Sequence, residues 1–304
     1  MKKIQIYEVG PRDGFQNVAD YIETPTKLEI IDRIVAAGIN IIQITSFVSP
    51  KAIPQMKDAS IIAKVCISKY PDVKLSALVP NLRGAKDAWE SGIRNISYVV
   101  SLSEKHNQAN IQRTHEESLS ELKSIIDEYP EMDICLDLAT AFGCPFEGKK
   151  DRDEVVAFIK DYVGCGIKTV NLCDTIGIAN PEQVRRTILA VQDAYPELTL
   201  IIHIHDTRNM GMVNSLVAIE CGVSVIQSTL GGLGGCPFAP GASGNLATED
   251  IAFMISEMGY ETGVNVEMLI QAAKYEAKVI PLGVYSGHHY KLMSSEERID
   301  RCKL

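Results

Sequence analysis

Residues 200–207 read Leu-Ile-Ile-His-Ile-His-Asp-Thr, an apolar run that ends in two histidines and two further polar residues. The run is typical of a buried β-strand, in which successive side chains alternate between faces. His203 and His205 therefore project to one side and Ile204 to the other. Two adjacent imidazoles at a strand end can chelate a metal ion, whereas a lone histidine in such a run is more often a satisfied core residue. The pair leaves both interpretations open.

On either side of this strand, short apolar runs alternate with longer amphipathic segments. Strands are predicted at 4–9, 39–45, 75–79, 96–100, 134–138, 169–172, 200–205 and 224–228. Helices are predicted at 26–37, 56–68, 84–91, 116–128, 153–163, 181–194, 213–220, 246–258 and 266–278. Residues 101–114 and 140–150 are predicted as loops because they are polar, or rich in glycine and proline.

Eight strand-helix units of even length predict an α/β protein, a (β/α)8 TIM barrel. A doubly wound sheet would need fewer strands and a phosphate-binding glycine fingerprint, which Gly10 and Gly14 do not form. We expect a single domain, with about 1–262 as the barrel and 263–304 as a helical C-terminal extension. That extension could pack on the barrel or contact another subunit.

Composition narrows the classes of partner. The chain has 304 residues, 46% of them hydrophobic, and a formal net charge of -9, which argues against nucleic acid or an anionic membrane as a partner. No apolar run approaches the roughly 20 residues that span a bilayer. Eight cysteines without a C-x-x-C pair favour reduced thiols. The N-terminus enters a strand at once, so we expect no cleavable leader and a cytoplasmic protein.

Active sites of TIM barrels lie on the loops that follow the strands. The predicted loops carry polar residues after seven of the eight strands: Arg12, Asp13, Gln43, Ser46, Asn81, Ser101, Ser103, Thr140, Asp174, Thr175, His203, His205 and Asp206. For Asn81, Ser101 and Ser103 a turn or capping role is the preferred interpretation. The convergence of the others at one end of the barrel predicts the active site there.

A glycine-rich stretch, residues 231–245, follows the last strand. Such a loop is either a plain flexible crossover or a lid that approaches a ligand with its backbone. Cys236 and Asn245 lie within it and favour the lid.

Together these motifs resemble the hydroxymethylglutaryl-CoA lyase family. The resemblance rests on residues 9–17 (Val-Gly-Pro-Arg-Asp-Gly-Phe-Gln-Asn), 45–50, 142–147, 174–177, 203–207 and 231–250, in order over nearly the whole chain. It implies a divalent-metal-dependent enzyme that cleaves 3-hydroxy-3-methylglutaryl-CoA to acetyl-CoA and acetoacetate.

The resemblance also implies site residues. The metal ligands would be Asp13, His203, His205 and the Asn245 side-chain oxygen. This mixed nitrogen and oxygen set suits Mg²⁺ or Mn²⁺, with Zn²⁺ and Fe²⁺ not excluded. Arg12 would stabilise negative charge on the thioester oxygen, and His203 would move the proton that quenches the enolate. Asp174 would orient polar groups at the mouth, and Cys236 would close over the substrate.

Substrate binding is assigned to Gln16, Gln43, Ser46 and Thr175, and a homodimer is expected.

Gln43 departs from the family, because a glutamate is expected there and glutamine cannot take a proton. Gln227 replaces a typically acidic residue, and residues 208–210, Arg-Asn-Met, replace a small turn. Two alternatives therefore stay open: a related lyase or Claisen-type condensing enzyme for another 3-hydroxyacyl-CoA or hydroxy acid, and a metal-binding homologue with little catalysis.

Overall fold

The computed structural model describes residues 3–235 and 244–292, in which eight parallel strands close into a barrel. With a short additional pair, β6 and β7, the described residues contain ten strands: β1 (Gln5–Glu8), β2 (Ile41–Ser46), β3 (Lys74–Leu78), β4 (Asn95–Ser101), β5 (Asp133–Ala139), β6 (Gly143–Cys144), β7 (Gly148–Lys149), β8 (Thr169–Asp174), β9 (Thr199–Ile204) and β10 (Val225–Ser228). The order around the barrel is β1-β10-β9-β8-β5-β4-β3-β2, and β6 and β7 form a separate antiparallel pair. This confirms the predicted (β/α)8 fold.

Helices connect the strands on the outside of the barrel. They are α1 (Thr24–Ala36), α2 (Ala59–Lys69), α3 (Leu82–Glu90), α4 (Glu104–Ile111), α5 (His115–Glu128), α6 (Arg152–Gly164), α7 (Pro181–Ala194), α8 (Gly211–Glu220), α9 (Thr248–Glu257) and α10 (Val266–Val279). Local signals set several ends: Asn180 caps α7, for example, by accepting a hydrogen bond from the Gln183 backbone at 2.9 Å. Across the described ranges, no helix is long and apolar enough to cross a membrane.

Two short elements lie inside segments predicted as loops. Helix α4 falls within 101–114, and the β6-β7 hairpin falls within 140–150. Helix α4 lacks an apolar stripe, and its buried residues are His106 and Asn107. Its N-terminus is capped by Ser103, and Asn107 donates to the Ser118 hydroxyl at 2.9 Å. Because polar contacts hold this helix in place, hydrophobic periodicity gave no sign of it.

Side chains alternate along the barrel strands in a way that builds the site. Ile202 and Ile204 pack in the main hydrophobic core, and His203 between them contacts polar side chains of the barrel interior. The same order recurs at Leu136, Asp137 and Leu138 on β5. A small apolar cluster, formed by Tyr7, Val9, Ile201 and Val225, packs together inside the barrel. The barrel therefore places a polar interior layer next to the ends of the strands where the loops begin.

The C-terminal segment packs on the barrel. Helix α10 contacts α1, where the Arg33 guanidinium lies 3.9 Å from the centre of the Tyr275 ring. Further on, Gly287 donates its backbone N–H to Gly231 at 2.9 Å, and Ser286 donates to the Asn245 carbonyl at 2.6 Å. These contacts tie Ser286 and Gly287 to Gly231 and Asn245, the first and last residues of the glycine-rich stretch. The division of the chain at about residue 262 stays a prediction.

Candidate active site and metal centre

The loop after β1 forms a tight turn that fixes Arg12 and Asp13. Residues Gly10–Gly14 make a single π-helical turn with Pro11 as its second residue, and the backbone N–H groups of Arg12 and Asp13 both donate to the Val9 carbonyl, at 3.0 and 2.7 Å. A π-helical turn is uncommon and is often found at functional sites. Both residues are buried at the barrel mouth, and about a tenth of each side chain is exposed.

Asp13 is the centre of the site. One carboxylate oxygen, Oδ1, accepts hydrogen bonds from the Arg12 guanidinium and, at 3.0 Å, from Gln16 Nε2. The other, Oδ2, accepts from Asn245 Nδ2 at 2.8 Å and lies 4.0 Å from His203 Nε2. Burial opposes ionisation, but Arg12 and the two histidines hold the pKa of Asp13 below its ordinary value. Asp13 is therefore a carboxylate at neutral pH.

The two histidines meet Asp13 as predicted. The rings of His203 and His205 are 5.1 Å apart, and a ligand atom from each lies with one from Asp13 in a group whose members are within 4.8 Å of one another. Burial lowers the pKa of both imidazoles. Neutral imidazoles and an ionised carboxylate are the states that bind a metal ion.

Asn245, the last residue of the glycine-rich stretch, lies beside the same three residues. It pairs with His205 through a β-bridge, and its Nδ2 donates to Asp13 and to the Leu233 carbonyl. Its Oδ1 is buried and has no hydrogen-bond partner among the described residues. Gly234, at φ +138°, leaves room for Asn245, since a Cβ there would lie 2.5 Å from Nδ2. A buried oxygen left unpaired beside a carboxylate and two imidazoles fits a divalent cation.

Gln43 lies beneath Arg12, not at the surface of the site. Its Oε1 accepts from Arg12 Nε, and its Nε2 donates to the Ser97 hydroxyl at 2.8 Å. Gln43 is fully buried, and a register shift in β2 separates it from Thr45. It therefore supports Arg12 from below, and Arg12 keeps Asp13 as its carboxylate partner.

The other predicted residues divide into two groups. Gln16 and Thr175 line the cavity at the mouth. Ser46 is buried behind the lining, where its hydroxyl donates at 3.2 Å to the carbonyl of Leu78, a residue that does line the cavity. The Asp174 carboxylate lies under the loop, where it accepts the backbone N–H groups of Ile178 and Ala179 at 2.9 and 3.0 Å. Burial raises the pKa of Asp174 to about 6. Cys236 lies outside the described residues.

The mouth of the barrel holds a cavity of about 550 Å³ above these groups. Its described polar lining includes Arg12, Asp13, Asp137, Asn171, His203, His205 and Gln227. Guanidinium, carboxylate, amide and imidazole groups therefore all line the cavity. This set can bind a charged, oxygen-rich substrate beside a cation.

Sequence reasoning missed two of these lining residues, Asp137 and Asn171. Each is a single polar residue inside an apolar strand, Asp137 between two leucines and Asn171 between Val170 and Leu172. That is the signal by which His203 was found, a polar side chain in a buried strand near its carboxyl end. A search of every predicted strand for this signal identifies both Asp137 and Asn171.

Comparison with known proteins agrees with this site. The HMGL-like family model matches residues 3–275. The chain is 41% identical to the hydroxymethylglutaryl-CoA lyase of Bacillus subtilis over 276 residues, which is 90% of this chain and 92% of that protein. A crystal structure of the B. subtilis lyase superposes with a TM-score of 0.89 at 38% identity, covering 99% of both chains.

A lyase from Acinetobacter baumannii, in complex with coenzyme A and 3-methylmalate, superposes with a TM-score of 0.88 at 36% identity. This match covers 96% of the present chain and 97% of that one. The barrel, the convergence of Asp13 with the two histidines, and these similarities together show that the chain belongs to the HMGL-like family of hydroxymethylglutaryl-CoA lyases.

Proposed function

We propose that this protein is a divalent-metal-dependent carbon–carbon lyase that cleaves 3-hydroxy-3-methylglutaryl-CoA to acetyl-CoA and acetoacetate. The observation that carries the proposal is the group formed by Asp13, His203 and His205 beside Arg12 in the mouth cavity. Relatives across 90% of the chain carry the same activity in their names, and one solved relative holds coenzyme A.

The cation would be held by Asp13, His203, His205 and the unpaired oxygen of Asn245. Once bound, it supplies Lewis acidity that polarises substrate oxygens and favours loss of the 3-hydroxyl proton. Mg²⁺ and Mn²⁺ suit ligands of this kind, and Zn²⁺ is also compatible with them. The three-residue group and the orphaned amide oxygen support this assignment.

Cleavage breaks the bond between C2 and C3 of the acyl group. The 3-hydroxyl would give its proton to a carboxylate of the cavity, a role for which Asp13 is available in place of the expected glutamate. C3 would become the ketone of acetoacetate, and the electron pair of the broken bond would pass to C2 as the enolate of acetyl-CoA. Arg12, buried and held by Gln43, would stabilise the negative charge that develops on the thioester oxygen. A preorganised guanidinium costs little reorganisation in the transition state.

The enolate carbon then takes up a proton. His203 was predicted to deliver it, and this role stays a proposal. Nδ1 of His203 is committed to Gln227 at 3.0 Å, and Nε2 is the ring atom that faces the site. An Nε2 that binds the cation has no proton to give, so delivery of the proton by His203 requires Nε2 to leave the cation and become protonated first. Asp174 would act by holding residues 175–179 in place, with Thr175 at the cavity lining. Cys236 is proposed to close over the substrate.

A second candidate function is cleavage or condensation of a different 3-hydroxyacyl-CoA or hydroxy acid. Gln43, in contact with Arg12, favours it, because a neutral amide stands where a carboxylate was expected.

A homodimer and a cytoplasmic location, both expected from the sequence, are further proposals. Light scattering of the purified protein tests the dimer.

The test is an assay of acetoacetate and acetyl-CoA formation from the hydroxymethylglutaryl thioester with Mg²⁺ or Mn²⁺. We expect turnover that disappears with a chelator and returns when the metal is restored. A matched panel of other 3-hydroxyacyl thioesters and free hydroxy acids serves as the comparison. Turnover of a panel member at ten times the rate of the hydroxymethylglutaryl thioester would favour the second candidate.

A further inference from the structure

A chain of buried side chains leads from His203 on β9 to Asp137 on β5, two strands further around the barrel. His203 Nδ1 and Gln227 Oε1 are 3.0 Å apart, Asn171 Nδ2 donates to the same Oε1 at 3.0 Å, and it also donates to Asp137 Oδ1 at 2.9 Å. All four residues are at least nine-tenths buried. The strands set this order, because Asp137 pairs with Asn171 across β5 and β8, and Gln227 pairs with His203 across β10 and β9.

The direction of each hydrogen bond decides which nitrogen of His203 carries the proton. Since Gln227 presents its carbonyl oxygen, which only accepts, His203 Nδ1 must be the donor. Nε2 then carries a lone pair, and Nε2 is the atom 4.0 Å from the Asp13 carboxylate. This tautomer can bind a cation through Nε2.

The opposite arrangement of the two amides would give the wrong tautomer. In this arrangement, which we call inverted, the side-chain amides of Asn171 and Gln227 are both rotated by 180°, so that their oxygen and nitrogen atoms exchange places. Gln227 Nε2 would then donate to His203 Nδ1, and the imidazole proton would lie on His203 Nε2. Within the chain itself the inversion would lose few contacts, because Asn171 Oδ1 and Gln227 Nε2 have no partner among the described residues. Neither amide therefore selects the observed arrangement.

Asp137 favours the observed orientation of the two amides over the inverted one. An inverted Asn171 would point its oxygen at the Asp137 carboxylate, which cannot donate a hydrogen bond when it is ionised. In the structure Asp137 Oδ1 is an acceptor, for the Asn171 N–H at 2.9 Å and for the Cys135 thiol at 3.8 Å. Burial raises the pKa of Asp137, and the Arg12 charge and the hydrogen bond from Asn171 limit this rise. Asp137 lines the same cavity as Arg12, and in the described part of the chain no hydrogen bond or ion pair joins it to Asp13, His205 or Asn245.

We propose that Asp137 is a positioning residue that sets the tautomer of His203, through Asn171 and Gln227, so that Nε2 is free to bind the metal. The inference rests on the metal site proposed above and adds a residue to it. Asp137 acts on the ligand through two amides and takes no part in the bond cleavage. Groups of this kind, one or two contacts away from a metal ligand, typically change metal affinity about 10- to 100-fold.

The test uses Asp137→Asn, which keeps the size of the side chain and removes its preference for an N–H partner. In metal-free protein with ¹⁵N-labelled histidine, NMR reports the tautomer of His203 directly. We expect one tautomer, Nδ1–H, in the wild type and a mixture in the variant. Titration with Mn²⁺ alone should show affinity at least about tenfold weaker. Asp133→Asn, at the exposed far end of the same strand, is the matched control and should leave both measurements unchanged.

A double variant tests the mechanism. Gln227→Glu places a carboxylate next to His203 Nδ1, so Asp137→Asn combined with Gln227→Glu should restore the Nδ1–H tautomer and most of the Mn²⁺ affinity. Asn171→Leu breaks the chain at another point and should reproduce the effect of Asp137→Asn. An unchanged tautomer and Mn²⁺ affinity in Asp137→Asn, with circular dichroism showing a folded protein, would overturn the inference.

The same measurements separate this inference from the proposed function. If the wild type binds Mn²⁺ and shows the Nδ1–H tautomer but does not cleave the hydroxymethylglutaryl thioester, the proposed function fails. The tautomer comparison, made without metal or substrate, then still decides the role of Asp137.

Discussion

Asn245 Nδ2 lies 2.8 Å from Asp13 Oδ2, although 232 residues separate the two in the sequence. The contact joins the loop after β1 to the segment that follows the glycine-rich stretch. It places an amide against the face of the carboxylate that also approaches His203. Closure of the barrel brings β1 next to β10, the last of the eight barrel strands. The first and last parts of the site therefore meet only when β10 has paired with β1.

Asp13→Ala should remove both metal binding and turnover. The substitution deletes the only carboxylate in the group with His203 and His205, and it leaves the Arg12 guanidinium without its ion-pair partner. We expect Mn²⁺ affinity to fall at least about 100-fold and turnover to fall below detection. Isothermal titration with Mn²⁺ and the acetoacetate assay measure the two effects.

Asp20→Ala, an exposed carboxylate a few residues further along, is the matched control and should behave as the wild type. Near-native Mn²⁺ affinity in Asp13→Ala would show that the cation binds elsewhere.

Bound metal should also stabilise the fold. A ligand that binds only the folded state at 100 times its Kd adds about 2.7 kcal/mol. We therefore expect Mn²⁺ to raise the Tm of the wild type and to leave the Tm of His203→Ala unchanged. Differential scanning fluorimetry with and without a chelator measures this, and an equal rise in both proteins would mean that the ion binds outside the site.

Gln43→Glu tests which substrate the pocket serves. A carboxylate at residue 43 would meet Arg12 Nε at the position where the amide oxygen now accepts. Because the geometry is kept and Arg12 already pairs with Asp13, we expect kcat/KM for the hydroxymethylglutaryl thioester to change less than about tenfold, or ~1.4 kcal/mol. Steady-state kinetics on that thioester give the answer. A gain beyond tenfold would indicate that the wild-type pocket is built for another substrate.

Much of this architecture can be predicted from local patterns. The eight barrel strands are short apolar runs, and the two histidines at the end of β9 keep the alternation of a strand, so periodicity locates both the barrel and His203. Helix α4 has no apolar stripe and escaped that pattern. Local pattern therefore succeeds where burial of hydrocarbon drives the structure, and fails where polar contacts do.

Direction and partners of side chains are harder to predict than their position. The sequence places Asp174 at the end of a strand, which is where it lies, but the carboxylate turns to the backbone of residues 178 and 179 and not to the cavity. Asn171 reaches across the interior to Gln227, on a strand that is not its neighbour. Such contacts depend on barrel closure, which one stretch of sequence does not encode.

Asp174→Ala should destabilise the loop that carries Thr175. The carboxylate accepts two backbone N–H groups in a buried setting, and each N–H left unpaired costs about 1–3 kcal/mol. We expect a lower Tm together with a higher KM, because the loop borders the cavity. Asp174→Asn keeps one acceptor oxygen and should lose less of both. Equal behaviour of the two variants and the wild type would exclude the positioning role.

Glu276→Gln should stabilise the protein, and more so as the pH rises. Glu276 is fully buried, and neither carboxylate oxygen has a hydrogen-bond partner among the described residues. Burial, reinforced by Glu8 and Glu249, raises the pKa of Glu276 well above its usual value. Between the unfolded and the folded pKa the folded state holds more protons, so stability falls as the pH rises through that window. Glutamine does not titrate and escapes this loss.

We therefore expect the Tm difference between Glu276→Gln and the wild type to be small at pH 5 and to exceed about 3 °C at pH 8, since ~1 kcal/mol shifts the Tm of a large domain by about 2–4 °C. Thermal unfolding followed by circular dichroism at the two pH values measures it. Glu267→Gln, exposed on the same helix, controls for the loss of a charge. A Tm difference that does not grow with pH would mean that a positive group or bound ion compensates Glu276 in the folded protein.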